Sequence, residues 1–378
     1  MYNIGTLNKI SPVGLATFND KYTITEDLES CSGIMVRSMD LHDMDFSPSL
    51  LAIARAGAGV NNIPLERCAD EGIVVFNAPG ANANAVKELT IAALIMASRN
   101  IPAAIKWAQE LEADPIAPAI EKGKGQFAGC EIKGKTLGVL GLGAIGQEVA
   151  NACLGLGMKV IGYDPYLSMK SALKLNPEVE VTDSLEKMLA EADYVTIHIP
   201  VMDSTKESID KDFFDLMKDG AVLVNLSRDK LVKEEDLIVA LDNNKISTYV
   251  IDFATDKLCK RKDVITLPHL GASTAEAEDN CASMAAAELM DYIECGNITN
   301  SVNFPNVSLG PLDDYNRVAI ITKGEPYPDK LIAAMFADKK IHAIAGATRG
   351  LYGYALIATT DMITLGTSVI ISVVAIRA

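Results

Sequence analysis

Gly141-Leu142-Gly143-Ala144-Ile145-Gly146 spells GxGxxG, and its setting constrains this chain more than any other feature. The apolar run TLGVL (136–140) stands directly before it and reads as a buried strand, and a helix is predicted from about Ala144. In that context the first glycine allows a tight turn, the second lets backbone approach a pyrophosphate, and the third lets helix and strand pack closely. The helix start offers free N–H groups and a positive partial charge to phosphate. Gly141, Gly143, Ala144, Ile145 and Gly146 are therefore candidate cofactor contacts. Asp164 follows KVIGY (159–163), where a carboxylate takes the adenosine ribose hydroxyls and repels a 2′-phosphate. That choice points to NAD rather than NADP.

Downstream of the loop the pattern repeats. YVTIHI (194–199), AVLVNL (221–226), STYVIDF (247–253) and DVITL (263–267) alternate with amphipathic runs at 184–192, 211–219 and 234–244. Strands apolar on both faces, spaced by helices, predict a parallel sheet covered on both sides. A weaker alternation occupies the first ninety residues, with GIMVRS (33–38), LLAIARAG (50–57) and GIVVFN (72–77), then a long helix at 85–98. A second long helix is predicted from Ser273 to Cys295, with Ser273 and Glu276 as its capping box. The expected fold is α/β: a Rossmann-type doubly wound NAD domain (93–267) inserted into a smaller flavodoxin-like substrate domain (1–92 and 268–303). A cleft between the two is the expected substrate site. The stretch 304–316, rich in Pro and Asn, reads as a linker, and 317–378 reads as a βαββαβ unit.

The net charge of −16 argues against a nucleic-acid partner, because a phosphate backbone calls for a basic face. Seven cysteines, an odd number with no CxxC pair, argue against a disulfide framework or a metal knuckle and for a reduced, cytoplasmic setting. The apolar tail Met362–Ile376 falls short of a membrane span and is broken by Thr364, Gly366, Thr367 and Ser368.

Three further polar sites fall just after strands, where open α/β sheets collect ligands. Arg228 follows AVLVNLS, Asp252 and Asp256 follow STYVI, and His269 follows VITLP. Oxidising a secondary alcohol needs a base for the hydroxyl proton, and histidine titrates in the useful range. A carboxylate beside it would fix its tautomer, and a guanidinium would grip a substrate carboxylate as a fork.

These residues carry a resemblance. GKTLGVLGLGAIGQEVA (134–150), GYDPY (162–166), NLSRDKLV (225–232) and LPHLGAST (267–274) are similar to the D-isomer-specific 2-hydroxyacid dehydrogenases, and RAGAGVNNIPL (55–65), FNAPGANANAVKEL (76–89) and NSVNFPNVSL (300–309) extend the match to about residue 310. The resemblance implies that Arg228 binds the substrate carboxylate and keto oxygen and that His269 is the general acid/base. It implies NAD contacts from Pro200, Thr205 and Asn225, with Asp252 holding the nicotinamide carboxamide. The family's usual dyad Glu lies in a DVFxxEP loop; here the loop reads Asp252-Phe253-Ala254-Thr255-Asp256-Lys257, one residue shorter, and Asp256 is the candidate partner of His269.

The likeness is strongest to the branch acting on D-3-phosphoglycerate, at the first step of the phosphorylated route to L-serine. It implies phosphate contacts from Arg37, Ser38, Arg55 and Asn82, to which Lys87 is a candidate addition. A reductase of hydroxypyruvate, glyoxylate or 2-oxoglutarate, and an NAD-sensing co-repressor of the same fold, are the competing readings. The terminal unit resembles an ACT domain, which in some relatives binds L-serine through an HxNxPG loop. Here that stretch reads Gly324-Glu325-Pro326-Tyr327-Pro328-Asp329, and His342 stands for a further Asn, so a dimerisation module is the alternative. The family forms homodimers or homotetramers through its cofactor domains, and Trp107, the only tryptophan, stands where an aromatic is often buried against a neighbour.

Overall fold

The computed structural model describes residues 1–312, 314–324, 336–360 and 370–376, and these divide into two compact units. One comprises 1–82 and 275–378, the other 83–274. The helix Ala83–Ser98 thus groups with the cofactor unit, ten residues before the boundary expected from sequence, and the C-terminal sheet groups with the first unit.

In the first unit, β1 (Tyr2–Leu7), β2 (Tyr22–Thr25), β3 (Gly33–Val36), β4 (Ala52–Arg55) and β5 (Val74–Asn77) form a parallel sheet in the order β2-β1-β3-β4-β5. That is the flavodoxin-like order. Arg37 and Arg55 stand at the carboxyl ends of the neighbouring strands β3 and β4.

In the second unit, β6 (Thr136–Leu140), β7 (Lys159–Tyr163), β8 (Glu180–Thr182), β9 (Tyr194–Ile197), β10 (Ala221–Asn225), β11 (Ile246–Ile251) and β12 (Val264–Thr266) form a parallel sheet in the order β12-β11-β10-β9-β6-β7-β8. The order reverses between β6 and β9, the switch point at which doubly wound sheets bind ligands. Val195, Leu223 and Tyr249 face one covering layer of helices, and Val139, Val224 and Val250 face the other. Burial on both faces is why these strands read as continuous apolar runs.

β13 (Asn316–Lys323), β14 (Ile341–Arg349), β15 (Tyr352–Thr359) and β16 (Ile370–Ile376) make an antiparallel sheet in the order β14-β15-β13-β16, the strand order of a ferredoxin-like unit. The two helices expected there, and the stretch 325–329, lie outside the described residues. The predicted linker is not a free tether. Arg317, 1% exposed, donates to the carbonyls of Cys295 and Gly310 at 3.0 and 2.8 Å and to that of Pro311 at 2.5 Å, and Phe304 is fully buried. Ala319, Ile321, Tyr354 and Leu356 pack in one core with Phe76, Leu289 and Tyr292. Among the described residues no single helix is long and apolar enough to cross a membrane.

Candidate active site

The glycine loop leaves β6 and opens the helix Ala144–Gly155. Gly141 has φ +91°, and a Cβ there would lie 2.7 Å from the His198 carbonyl oxygen; one on Gly146 would lie 1.9 Å from that of Gly141. Both positions therefore require glycine. Gly143 is different, since a Cβ on it meets nothing within 4 Å, and it caps the helix without a side-chain hydrogen bond. The helix N-terminus thus faces open space, which suits a phosphate group. Asp164 accepts the backbone N–H of Leu142 and of Tyr166, each at 2.9 Å. It borders a hollow of about 780 Å³ that is also lined by Tyr163, Pro165, Thr182, Asp183 and the Glu180–Lys187 ion pair. The free helix start and the Asp164 carboxylate held beside the loop fit a dinucleotide without a 2′-phosphate.

The loops after β10, β11 and β12 bring together three of the residues singled out in the sequence. Arg228 is half-buried, its guanidinium donates to the Ser227 carbonyl at 2.7 Å, and its Cζ lies 5.5 Å from the centre of the Phe253 ring. The His269 ring lies 4.6 Å from the same ring, centre to centre. His269 itself has φ +58°, in the left-handed region. Fully buried Asp252 holds that turn, accepting the N–H of Leu270 and of Gly271 at 2.7 Å each.

Each Asp252 oxygen accepts a backbone N–H of the histidine loop and the side chain has no exposed surface, so in this structure it anchors that loop. Asn225, also fully buried, accepts the N–H of Ser227 and Arg228 and donates to the Arg228 carbonyl and the Tyr249 hydroxyl. With all four of these bonds made, its amide shapes the arginine loop. Thr205 donates to the Pro200 carbonyl at 2.7 Å and accepts the Met202 N–H at 2.8 Å, closing the turn that was expected to meet NAD. Asp256 is exposed, and among the described residues no hydrogen bond or ion pair joins it to His269. Ser273 donates to the His269 carbonyl at 3.3 Å, and the helix starts at Ala275, so the capping box does not form as expected.

In the first unit Arg37 donates to Glu278 at 2.7 Å, and the Arg55 Nε donates to the Arg37 carbonyl at 3.1 Å. The Asn8 carboxamide oxygen accepts the Ser38 N–H at 3.1 Å. The Asn82 carboxamide oxygen is buried without a hydrogen bond among the described residues. In the second unit Lys87 bonds Asn84 on its own helix.

Sequence reasoning missed Phe253, which reads as an ordinary core residue, and His198 at the end of β9. Burial pushes the His198 imidazole down to about 4, so it is neutral; it lies 3.0 Å from the Thr196 hydroxyl, and its Nδ1 is buried without a partner among the described residues.

Residues 91–271 match the model of the D-isomer specific 2-hydroxyacid dehydrogenase NAD binding domain. Among curated proteins, the D-3-phosphoglycerate dehydrogenase of Methanocaldococcus jannaschii is 34% identical over 84% of this chain and 60% of its own length. The Homo sapiens D-3-phosphoglycerate dehydrogenase is 33% identical over 75% of this chain and 52% of its own. The chain thus spans between half and two thirds of the length of these relatives. The NAD⁺-bound 3-phosphoglycerate dehydrogenase structure from Entamoeba histolytica has a TM-score of 0.63 at 24% identity, covering 80% of this chain and 98% of that one. D-2-hydroxyisocaproate dehydrogenase has a TM-score of 0.67 at 22% identity, covering 80% and 100%. At such identities these structures speak for the fold alone. Residues 91–271 thus belong to the D-isomer-specific 2-hydroxyacid dehydrogenase family, as its NAD-binding domain.

Proposed function

We propose that the protein oxidises D-3-phosphoglycerate to 3-phosphohydroxypyruvate with NAD. The observation that carries this reading is the meeting of the Arg228 guanidinium and the His269 imidazole on one phenylalanine ring, at the carboxyl edge of the sheet that bears the dinucleotide loop. Bound NAD supplies the two-electron acceptor. Arg228 has a fork of donors for the substrate carboxylate and for the oxygen that becomes the ketone. The His269 imidazole takes the hydroxyl proton. Arg37, Ser38 and Arg55, at the ends of β3 and β4, recognise the phosphate. Two guanidinium groups at neighbouring strand ends suit a phosphate dianion, which would displace Glu278 from Arg37.

Reduction of NAD with D-3-phosphoglycerate, but with neither D-glycerate nor D-lactate, is the expected result. His269→Ala should remove turnover and leave NAD binding intact. Arg228→Lys keeps the charge but loses the planar fork, and should lower kcat/KM about 10- to 100-fold. Equal turnover of phosphorylated and unphosphorylated acids would favour the broader hydroxyacid reading.

We also propose a homo-oligomer built on the cofactor unit. The helices Ile101–Glu110 and Ile116–Gly123 bury no residue, Ile105 and Ile116 stand 52% and 47% exposed, and Trp107 of the first helix meets the Phe127 ring. A second copy of the chain is the occupant that would cover them, and sedimentation of Trp107→Ala against the unaltered chain tests it. The C-terminal sheet is proposed to be an ACT-like module, cytoplasmic like the rest. L-serine titration of the intact protein decides whether it is an effector site.

A further inference from the structure

We infer that Phe253 is the positioning residue for the Arg228–His269 pair, an aromatic plate standing where a carboxylate partner of the histidine was expected. The inference rests on the proposed dehydrogenase reading, and it begins from what holds each group. The backbone of His269 is fixed in a left-handed conformation by the two hydrogen bonds of Asp252 to Leu270 and Gly271. That settles where the ring starts but not how it turns. Among the described residues the imidazole makes no hydrogen bond and no ion pair; its neighbour is the Phe253 ring at 4.6 Å, inclined by 47°. Arg228 shows the same pattern. Among the described residues its guanidinium gives one hydrogen bond, to Ser227, and otherwise lies over the Phe253 ring.

The plate itself is firmly held. Phe253 follows the fully buried pair Ile251 and Asp252 and packs against the core that contains Leu231, Tyr249 and Leu258. An aromatic face attracts a guanidinium and constrains an imidazole without removing hydrogen-bond capacity from either. Both polar groups therefore keep their donors and acceptors for a substrate, with much of their rotational freedom already lost. A carboxylate would have fixed the histidine by occupying one of its nitrogens.

The test has two readouts. Ring current from Phe253 shifts the His269 ring-proton resonances, which are assignable because the chain has only four histidines and His269→Gln removes one set. Phe253→Leu keeps an apolar side chain but loses the face. The expected result is loss of the ring-current shift at His269, with the His198 resonances unmoved as evidence that the domain is folded. In turnover, Phe253→Leu should lower kcat about tenfold with the Kd for NAD unchanged, and Phe253→Tyr should recover most of it. An unmoved His269 resonance in Phe253→Leu, or a wild-type kcat in that variant, overturns the inference. Absence of hydroxyacid turnover in the unaltered protein would instead end the functional reading, and the resonance would still decide whether the plate holds the histidine.

Discussion

The carboxylate of Asp252 accepts the backbone N–H of Gly271 at 2.7 Å, and its other oxygen accepts that of Leu270. This one side chain ties the loop after β11 to the loop after β12, and so sets where His269 stands. Asn at this position keeps one acceptor and turns an amide N–H₂ toward a buried backbone N–H. Leaving that donor unpaired costs about 1–3 kcal/mol. Asp252→Asn should therefore lower the urea midpoint by that equivalent and also reduce kcat, since His269 loses its fixed start. Unchanged stability with reduced NAD affinity would return Asp252 to a cofactor role.

Two glycines of the loop separate folding from binding. A methyl on Gly146 meets the Gly141 carbonyl oxygen at 1.9 Å, whereas one on Gly143 meets no atom of the protein. Gly146→Ala should destabilise the domain, because helix and strand must part. Gly143→Ala should fold with a normal melting temperature and still fail to bind NAD, because its methyl enters the space beside the helix start. Calorimetric titration with NAD, beside a thermal melt, checks both. Normal affinity in Gly143→Ala would mean that the phosphates lie elsewhere.

Glu278 already sits on the arginine proposed to take the substrate phosphate. Both side chains are about two-fifths exposed, so water screens the pair and a dianion should displace the carboxylate easily. Glu278→Gln removes the competitor. KM for D-3-phosphoglycerate should fall about two- to fivefold at low salt, the scale of an exposed ion pair, and the gain should fade as salt rises. Arg37→Ala should raise the same KM. An unaltered KM in both variants would take the phosphate away from Arg37.

What the sequence made legible follows burial. β6, β9, β10 and β11 are covered on both faces, so TLGVL, YVTI, AVLVN and the core of STYVI stand out as apolar runs. β2 and β8 lie at sheet edges with mixed burial, and nothing in YTIT or EVT distinguishes them from loop. The two helices within 101–123 bury no residue, so no wide core-facing apolar stripe marks them in the sequence. At the site, strand ends located Arg228, Asp252 and His269, because position along a parallel sheet is enough to place a residue at its carboxyl edge. Partnerships were not legible. Asp256 lies five residues beyond the strand end at Ile251 and is exposed, while the ring that meets His269 belongs to Phe253, whose apolar side chain carries no chemical signal of its own. Spacing likewise does not reveal that the Asn225 and Asp252 oxygens accept backbone N–H groups of the neighbouring loops.

Glu288 gives the stability of the first unit a pH dependence that can be signed. It is 8% exposed on the helix Ala275–Cys295; one carboxylate oxygen accepts the Asn300 amide at 2.8 Å, and the other is buried without a partner among the described residues. Burial raises its pKa from 4.5 to about 8, with the Asn300 bond opposing in part. The folded protein therefore binds this proton more tightly than the unfolded chain does. The resulting stability is fully present below about pH 4.5, declines as pH rises toward 8, and is lost above it. Glu288→Gln has the same shape and no charge, so it lacks this decline. Urea titrations at pH 5 and pH 9 should show the variant close to the wild type at the lower pH. At the higher pH it should be more stable by up to a few kcal/mol, as about 1.4 kcal/mol per pKa unit allows. Parallel pH profiles for the two proteins would mean that the carboxylate is solvated in the folded state and that the helix is not closed over it.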